Sequence, residues 1–220
     1  MKKTAIILGA TGLTGNILLH KLIADDRYDH IKLFSRSKIK GLPHKVSQFT
    51  GNLLKLDAFK VDFTGHEVYC CIGTTAKKTP DKNRYRQIDY GIPVTAAKLA
   101  KENNIPTFLV ISAMGAHLKS LVFYNRTKGE MERDILQQNI PNTCILRPAL
   151  IGGKRKERRL LEKMGLILFK VIQPLFIGNL KHYKIIDAED IAQAMINLAN
   201  TKNCKGIIIP SNDIKKIANI

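Results

Sequence analysis

The stretch Ile6-Ile7-Leu8-Gly9-Ala10-Thr11-Gly12-Leu13-Thr14-Gly15 decides how this chain is read. Three large apolar residues form the end of a buried strand. Glycines then recur at every third position, and a helical pattern opens at Leu13. Glycine lets the backbone turn tightly and approach a ligand, while a helix N-terminus offers unpaired N–H groups and the positive end of its dipole. A strand, a glycine-spaced turn and a helix start, in that order, make a cradle for a dinucleotide pyrophosphate. The spacing is GxxGxxG rather than the GxGxxG of the general fingerprint. Gly9, Thr11, Gly12, Leu13, Thr14 and Gly15 are the candidate cofactor residues here.

Outward from the turn, apolar runs of strand length alternate with helical patterns. The strands are expected at Thr4–Leu8, Ile31–Phe34, Lys45–Phe49, Glu67–Ile72, Thr107–Ile111 and Asn142–Leu146, with a weaker one at Gly206–Ile209. The helices are expected at Leu13–Ala24, Asn83–Asn103, Tyr124–Gln138 and Asp187–Asn200. Strands alternating with helices require right-handed crossovers and a parallel sheet. The fold class is therefore α/β: a doubly wound, mostly parallel Rossmann sheet. At 220 residues, 45% of them hydrophobic and 25% charged, the chain reads as a single domain over residues 1–220. The small substrate-side segment falls at about 149–186.

The end of the second strand separates the two dinucleotides. NAD binders place a carboxylate there for the ribose 2′-hydroxyl, and NADP binders need a cation for the 2′-phosphate. This chain has Phe34-Ser35-Arg36-Ser37-Lys38. A guanidinium at Arg36 can engage a phosphate through two bonds, and Ser35 can donate its hydroxyl. Arg36 also fits an ordinary surface position in a basic protein. NADP is the expected cofactor, ahead of NAD.

The net charge of +18 raises the question of nucleic acid. Most of the excess is Lys spread along the chain. One cluster stands out, Lys154, Arg155, Lys156, Arg158 and Arg159, with no aromatic interleaving. It reads as a solvated basic face that can attract an anionic substrate or membrane surface, and not as a nucleic-acid site. Gly9, Gly12 and Gly15 interrupt the apolar run after Met1-Lys2-Lys3, so no secretory signal is read there. The apolar stretch Met164–Ile177 contains Lys170, Gln173 and Pro174 and is too short to span a bilayer. It reads as a packed helix first, and as a lid over an apolar substrate or a partner surface second. These features predict a cytoplasmic protein. The four cysteines agree, because adjacent Cys70 and Cys71 point to opposite faces of a strand and read as packed thiols. The six histidines show no ligand spacing, and no metal site is predicted.

Tyr124 and Lys128 lie four residues apart, on one face of a predicted helix. Tyr28 and Lys32 have the same spacing, so position separates the two pairs. Tyr28 is expected before the second strand, at the sheet edge away from the crevice. Tyr124 follows the loop that leaves Thr107–Ile111, where ligands of such sheets bind. Ser112 closes that strand. Its hydroxyl can orient a carbonyl, Tyr124 can exchange the proton, and Lys128 can favour the phenolate. A surface Tyr and Lys, with Ser112 in a turn, is the alternative. Asp187–Asp190 reads as an N-cap with acidic residues favoured by the helix dipole.

With these motifs in view, the chain resembles an atypical short-chain dehydrogenase/reductase, in the branch of the Tat-interacting-protein-like oxidoreductases. The matching pieces are Gly9–Gly15, Gly65–Thr75, Tyr124–Glu130, Arg147–Gly152 and Asp187–Ala192. The resemblance implies Tyr124 as acid/base, Lys128 as its partner and a ribose contact, and Ser112 as the carbonyl-orienting group. It implies Asn52 and Leu53 near the adenine, and Cys71, Ile72 and Gly73 along the adenosine. Pro148, Ala149 and Ile151 fall along the nicotinamide. No Asn of the family's catalytic tetrad can be placed. The expected activity is oxidation or reduction of a carbonyl or hydroxyl in a small molecule, apolar or anionic, by a monomer or homodimer. The alternative is a sensor that binds NAD(P) and a partner without turnover.

Overall fold

The computed structural model describes residues 2–152, 185–201 and 206–220. Its strands are β1 (Lys3–Leu8), β2 (Tyr28–Ser35), β3 (Val46–Thr50), β4 (Glu67–Cys70), β5 (Thr107–Ile111), β6 (Asn142–Arg147), β7 (Ile151–Gly152), β8 (Ile186–Asp187) and β9 (Ile207–Pro210). Its α-helices are α1 (Leu13–Ala24), α2 (Lys82–Arg86), α3 (Ile92–Glu102), α4 (Phe123–Leu136), α5 (Ala188–Ala199) and α6 (Ser211–Ala218). Seven strands form one parallel sheet in the order β3-β2-β1-β4-β5-β6-β9. The chain runs outward from β1 through β3, returns to β4 beside β1, and then runs outward the other way. That reversal leaves a crevice outside the carboxyl ends of β1 and β4, where ligands of such sheets bind. The Rossmann expectation is met.

Alternation along the strands divides the core. Ala5, Ile7, Leu109, Ile111 and Leu146 face α1, α5 and α6, while Ile6, Leu8, Val68, Phe108 and Val110 face α3 and α4. Both faces are covered, so β4 and β5 are buried throughout, and after Glu67 and Thr107 they read as the apolar runs Val68–Cys70 and Phe108–Ile111. Cys70 belongs to the second face and Cys71 packs against the first, as their adjacency requires. Among the described residues no helix is long and apolar enough to cross a membrane.

Three local expectations need correction. β2 begins at Tyr28, whose pairing with Lys3 opens the ladder, so Tyr28 is the first residue of the strand and does not precede it, while its place at the edge of the sheet away from the crevice is as expected. Its hydroxyl donates to Glu67 (2.7 Å), which also accepts from Tyr69 (2.7 Å) and Lys3 (2.6 Å). This buried network ties the starts of β1, β2 and β4 at the end of the sheet away from the crevice. The helix expected over Asn83–Asn103 is α2, a π turn (Gln87–Gly91) and α3. Pro93 has no N–H to offer the carbonyl of Asp89 four residues back, and its ring crowds that oxygen. The widened turn absorbs the conflict, with Ile92 N–H reaching back to Gln87 O. Asp187 occupies the N-cap of α5 without a side-chain capping bond, although Glu189 and Asp190 do lie in the first turn.

Candidate functional site

At Gly9 and Gly15 the glycine turn is held by backbone contacts that leave no room for a side chain. Gly9 has φ +88°, and a Cβ on it would stand 2.7 Å from the carbonyl oxygen of Cys71. A Cβ on Gly15 would stand 2.2 Å from the oxygen of Gly9, and one on Gly12 3.2 Å from the same atom. Gly12 N–H donates to Gly9 O at 2.9 Å, closing the turn. The first turn of α1 has no side-chain cap and no acidic residue. Its leading N–H groups and dipole are left for an anion. Thr11 and Leu13 are exposed here, while Thr14 is buried. The close approach of Gly9 to Cys71 brings the segment Cys71, Ile72, Gly73 alongside the turn. Backbone donors, a groove sized for main chain alone and the absence of a carboxylate fit a pyrophosphate.

Ser35 closes β2 and Arg36 follows it, while Asn52 and Leu53 follow β3 on the same rim. Arg36 is exposed and has no ion-pair partner among the described residues. Ser35 departs from expectation: it is buried and donates its hydroxyl to Ser37 O at 2.7 Å, so that proton shapes the loop. Asn52 caps the 3-10 turn Leu53–Phe59 by accepting from Leu54 N–H (3.1 Å), and Leu53 is buried beneath it.

On α4, Tyr124, Lys128 and Glu132 recur every four residues and share one face. Tyr124 is 38% exposed, whereas Lys128 and Glu132 are buried. The Lys128 ammonium lies 3.2 Å from Asp89 Oδ1 and 3.4 Å from the carbonyl of Ile111. Asp89 is buried in the π turn, and its other oxygen accepts from Thr74 N–H at 2.8 Å. Ser112 donates its hydroxyl to Glu132 (2.5 Å), and Arg147 binds both oxygens of the same carboxylate.

These pairings revise two expected roles. Ser112 is buried with its proton committed to Glu132, so it presents acceptor lone pairs and not a free donor. Tyr124 has its pKa raised above the ordinary phenol range, chiefly by burial. Lys128 pulls it down, but Asp89 opposes that pull, and the balance is upward. The resemblance-derived nicotinamide residues lie after β6, beside Ser112. Pro148 is buried with its carbonyl accepting from Met114 N–H (2.9 Å), and Ala149 N–H donates to Ser211 Oγ (3.1 Å). Ile151 pairs with Ile186 across the short β7–β8 ladder.

Tyr124 also lines a cleft of 510 Å³ between the segment after β4 and the start of α4. Thr74, Pro80, Tyr85, Val122 and Phe123 form much of its wall, and the Tyr85 and Tyr124 rings meet edge to face at 6.2 Å. The basic cluster Lys154–Arg159 and the apolar run Met164–Ile177 lie outside the described residues.

Sequence reasoning missed Asp89 and Glu132, and met Arg147 only as the start of a family-like turn, without its pairing to Glu132. Pro93, inside an otherwise helical pattern, was the available signal for Asp89, because a broken ladder frees the turn that carries it. Glu132 continues the Tyr124–Lys128 spacing by one more step. Arg147 had no local signal.

Residues 9–202 match the NAD(P)H-binding family. The chain is 32% identical over 233 residues to the protein FMP52, mitochondrial, of Candida albicans, covering 98% of each chain. It is 30% identical over 161 residues to HTATIP2 of Rattus norvegicus, covering 71% of this chain and 66% of the relative. Among solved structures, the UDP-glucuronic acid 4-epimerase of Bacillus cereus in complex with NAD superposes with a TM-score of 0.69. At 16% identity, over 94% of this chain and 76% of the epimerase, that likeness concerns the fold. The fungal relatives are named as mitochondrial, which overturns the cytoplasmic expectation. Fold, glycine turn and relatives together place this chain in the NAD(P)H-binding family, consistent with the resemblance to atypical short-chain dehydrogenase/reductases.

Proposed function

We propose that the protein is an NADP-dependent oxidoreductase acting on a carbonyl or hydroxyl group of a small molecule. The observation that carries this reading is Tyr124, whose ring lines the 510 Å³ cleft while Lys128 stands one helical turn behind it. The dinucleotide would lie along the strand ends, its pyrophosphate on Gly9–Gly15 and its 2′-phosphate on Arg36. Asn52, Leu53 and Cys71–Gly73 would flank the adenosine, and Pro148, Ala149 and Ile151 the nicotinamide. Bound there, the reduced cofactor supplies a hydride, two electrons that pass to the carbonyl carbon. Tyr124 gives the carbonyl oxygen its proton and recovers one from solvent. A raised phenol pKa keeps Tyr124 protonated at neutral pH, which suits reduction. Ser112, anchored by Glu132 and Arg147, can accept a hydrogen bond from the alcohol that forms.

Residues 1–220 are taken as one NAD(P)-binding unit with the segment 149–186 on its substrate side. By likeness to the fungal relatives, the mitochondrion is its proposed compartment. Tyr124→Phe tests the chemistry. NADPH binding is expected to persist within about twofold, while turnover falls about 10²–10⁴-fold, the contribution of one proton-transfer group. Full turnover in that variant would refute the assignment.

A second reading, a non-catalytic NAD(P) sensor, draws on the commitment of Ser112 to Glu132 and of Lys128 to Asp89. It requires that NADPH alter association with a partner, so unchanged pull-downs and sizing profiles with and without NADPH would dismiss it.

A further inference from the structure

The cleft beside Tyr124 has a chemical character of its own. Of its lining residues, Ala76, Pro80, Val122 and Phe123 are apolar, and none carries a carboxylate. Its volume falls in the roughly 300–1,000 Å³ range of small-molecule sites. One charged side chain lines it: Lys82, whose ammonium stands 5.8 Å above the Phe123 ring. Lys77 and Lys78 are exposed on the same segment, and none of these three lysines has an ion-pair partner among the described residues. Nearby carboxylates are already engaged. Asp81 caps α2 through Arg84 N–H (2.7 Å), Asp89 holds Thr74 and Lys128, and Glu130 pairs with Arg86 (2.9 Å). Among the described residues, the cleft and its flanking segment thus carry three lysines without ion-pair partners against one carboxylate, Asp81, that no cation pairs, and the charge balance beside the apolar interior is positive.

We propose that this cleft takes an apolar carbonyl compound bearing an anionic terminus, with the apolar body against Tyr85 and Phe123 and the anion at Lys82. The inference rests on the oxidoreductase reading and gives it a substrate class. Tyr124 and Lys82 line one cavity, so a single molecule can offer its carbonyl to the first and its anion to the second. Apolar contact holds the body, and the lysines select for charge. An ion pair at a partly exposed rim contributes at most about fivefold in affinity. The expected preference is of that size per lysine engaged, and it weakens with salt.

The test is calorimetric titration with a medium-chain methyl ketone and its ω-carboxylate analogue of equal length. The full chain is first saturated with oxidised NADP, which cannot reduce either compound. At low salt the carboxylate is expected to bind about fivefold more tightly. Lys82→Glu is expected to bring the ratio of the two affinities to one or below. A triple change of Lys77, Lys78 and Lys82 to Gln covers substitution of one lysine by another, and NADP affinity measured in parallel reports that each variant is folded. Equal affinity for the two ketones, a preference that survives the triple change, or failure of both to bind would each overturn the proposal. Reduction of the same ketones by NADPH is scored separately. Binding with the charge preference but no turnover defeats the oxidoreductase reading and leaves the ligand class standing. Turnover without the preference does the reverse.

Discussion

Replacing Gly15 with alanine sets a methyl carbon 2.2 Å from the carbonyl oxygen of Gly9 and 2.8 Å from its carbon. Ordinary contact begins near 3.4 Å, so the turn and the helix start must separate by about 1 Å. Both atoms it meets are backbone, which leaves no flexible side chain to swing away. Overpacking of this kind costs about 1–3 kcal/mol, which lowers Tm by about 2–12 °C in a domain of this size. The larger effect falls on the cradle. A shift of that size takes the leading N–H groups of α1 out of hydrogen-bond range of a phosphate. Loss of about two charge-assisted bonds, each worth about 1.5–3 kcal/mol, weakens NADPH binding about 10²–10⁴-fold. Gly41→Ala is the matched control. Gly41 has φ +72° but nothing within 4 Å of its would-be Cβ, so the change strains the backbone by about 1–2 kcal/mol and leaves the cradle intact. NADPH fluorescence titration and thermal melts on the two variants separate the effects. Wild-type NADPH affinity in Gly15→Ala would refute the assignment of this turn to the pyrophosphate.

Arg36→Ala is expected to weaken NADPH binding about 10–100-fold and to leave NADH binding nearly unchanged, measured by the same titration. Equal losses for both cofactors would place Arg36 away from the 2′-phosphate. Asp89→Asn leaves Lys128 buried without its counter-charge, a change that typically costs about 3–5 kcal/mol, so Tm should fall by about 6–20 °C. Because Asp89 raises the Tyr124 pKa and Lys128 lowers it, the same variant should move the alkaline limb of kcat/KM for carbonyl reduction to lower pH. An unmoved limb would separate Tyr124 from that titration. Burial raises the pKa of both Tyr28 and Tyr69, with the Glu67 charge adding to it. Unfolded tyrosines lose protons near pH 10 while these two retain theirs, so the stability they contribute is present below about pH 10 and declines as pH rises above it. Each contributes a slope of about 1.4 kcal/mol per pH unit, so urea melts at pH 9 to about 11 should show a shallower decline in the Tyr28→Phe, Tyr69→Phe double variant. A decline as steep as wild type would assign the alkaline loss to other groups.

The sequence by itself determined what depends on neighbours along the chain. Strand, glycine turn and helix at Thr4–Ala24 follow from apolar period and backbone freedom, both local properties, and they carry the parallel sheet and the dinucleotide cradle with them. The shared face of Tyr124 and Lys128 likewise follows from helical spacing alone. What those groups are bonded to was decided by tertiary structure. Ser112 meets Glu132 across 20 residues, and Tyr28 meets Glu67 across 39, through strand order and helix packing that no local pattern encodes. Asp89 reaches Lys128 because Pro93 widens the turn that holds it. A side chain's type and its place on an element are written in one dimension. Whether its proton or its charge is free is settled only by the groups that folding sets within about 3 Å of it.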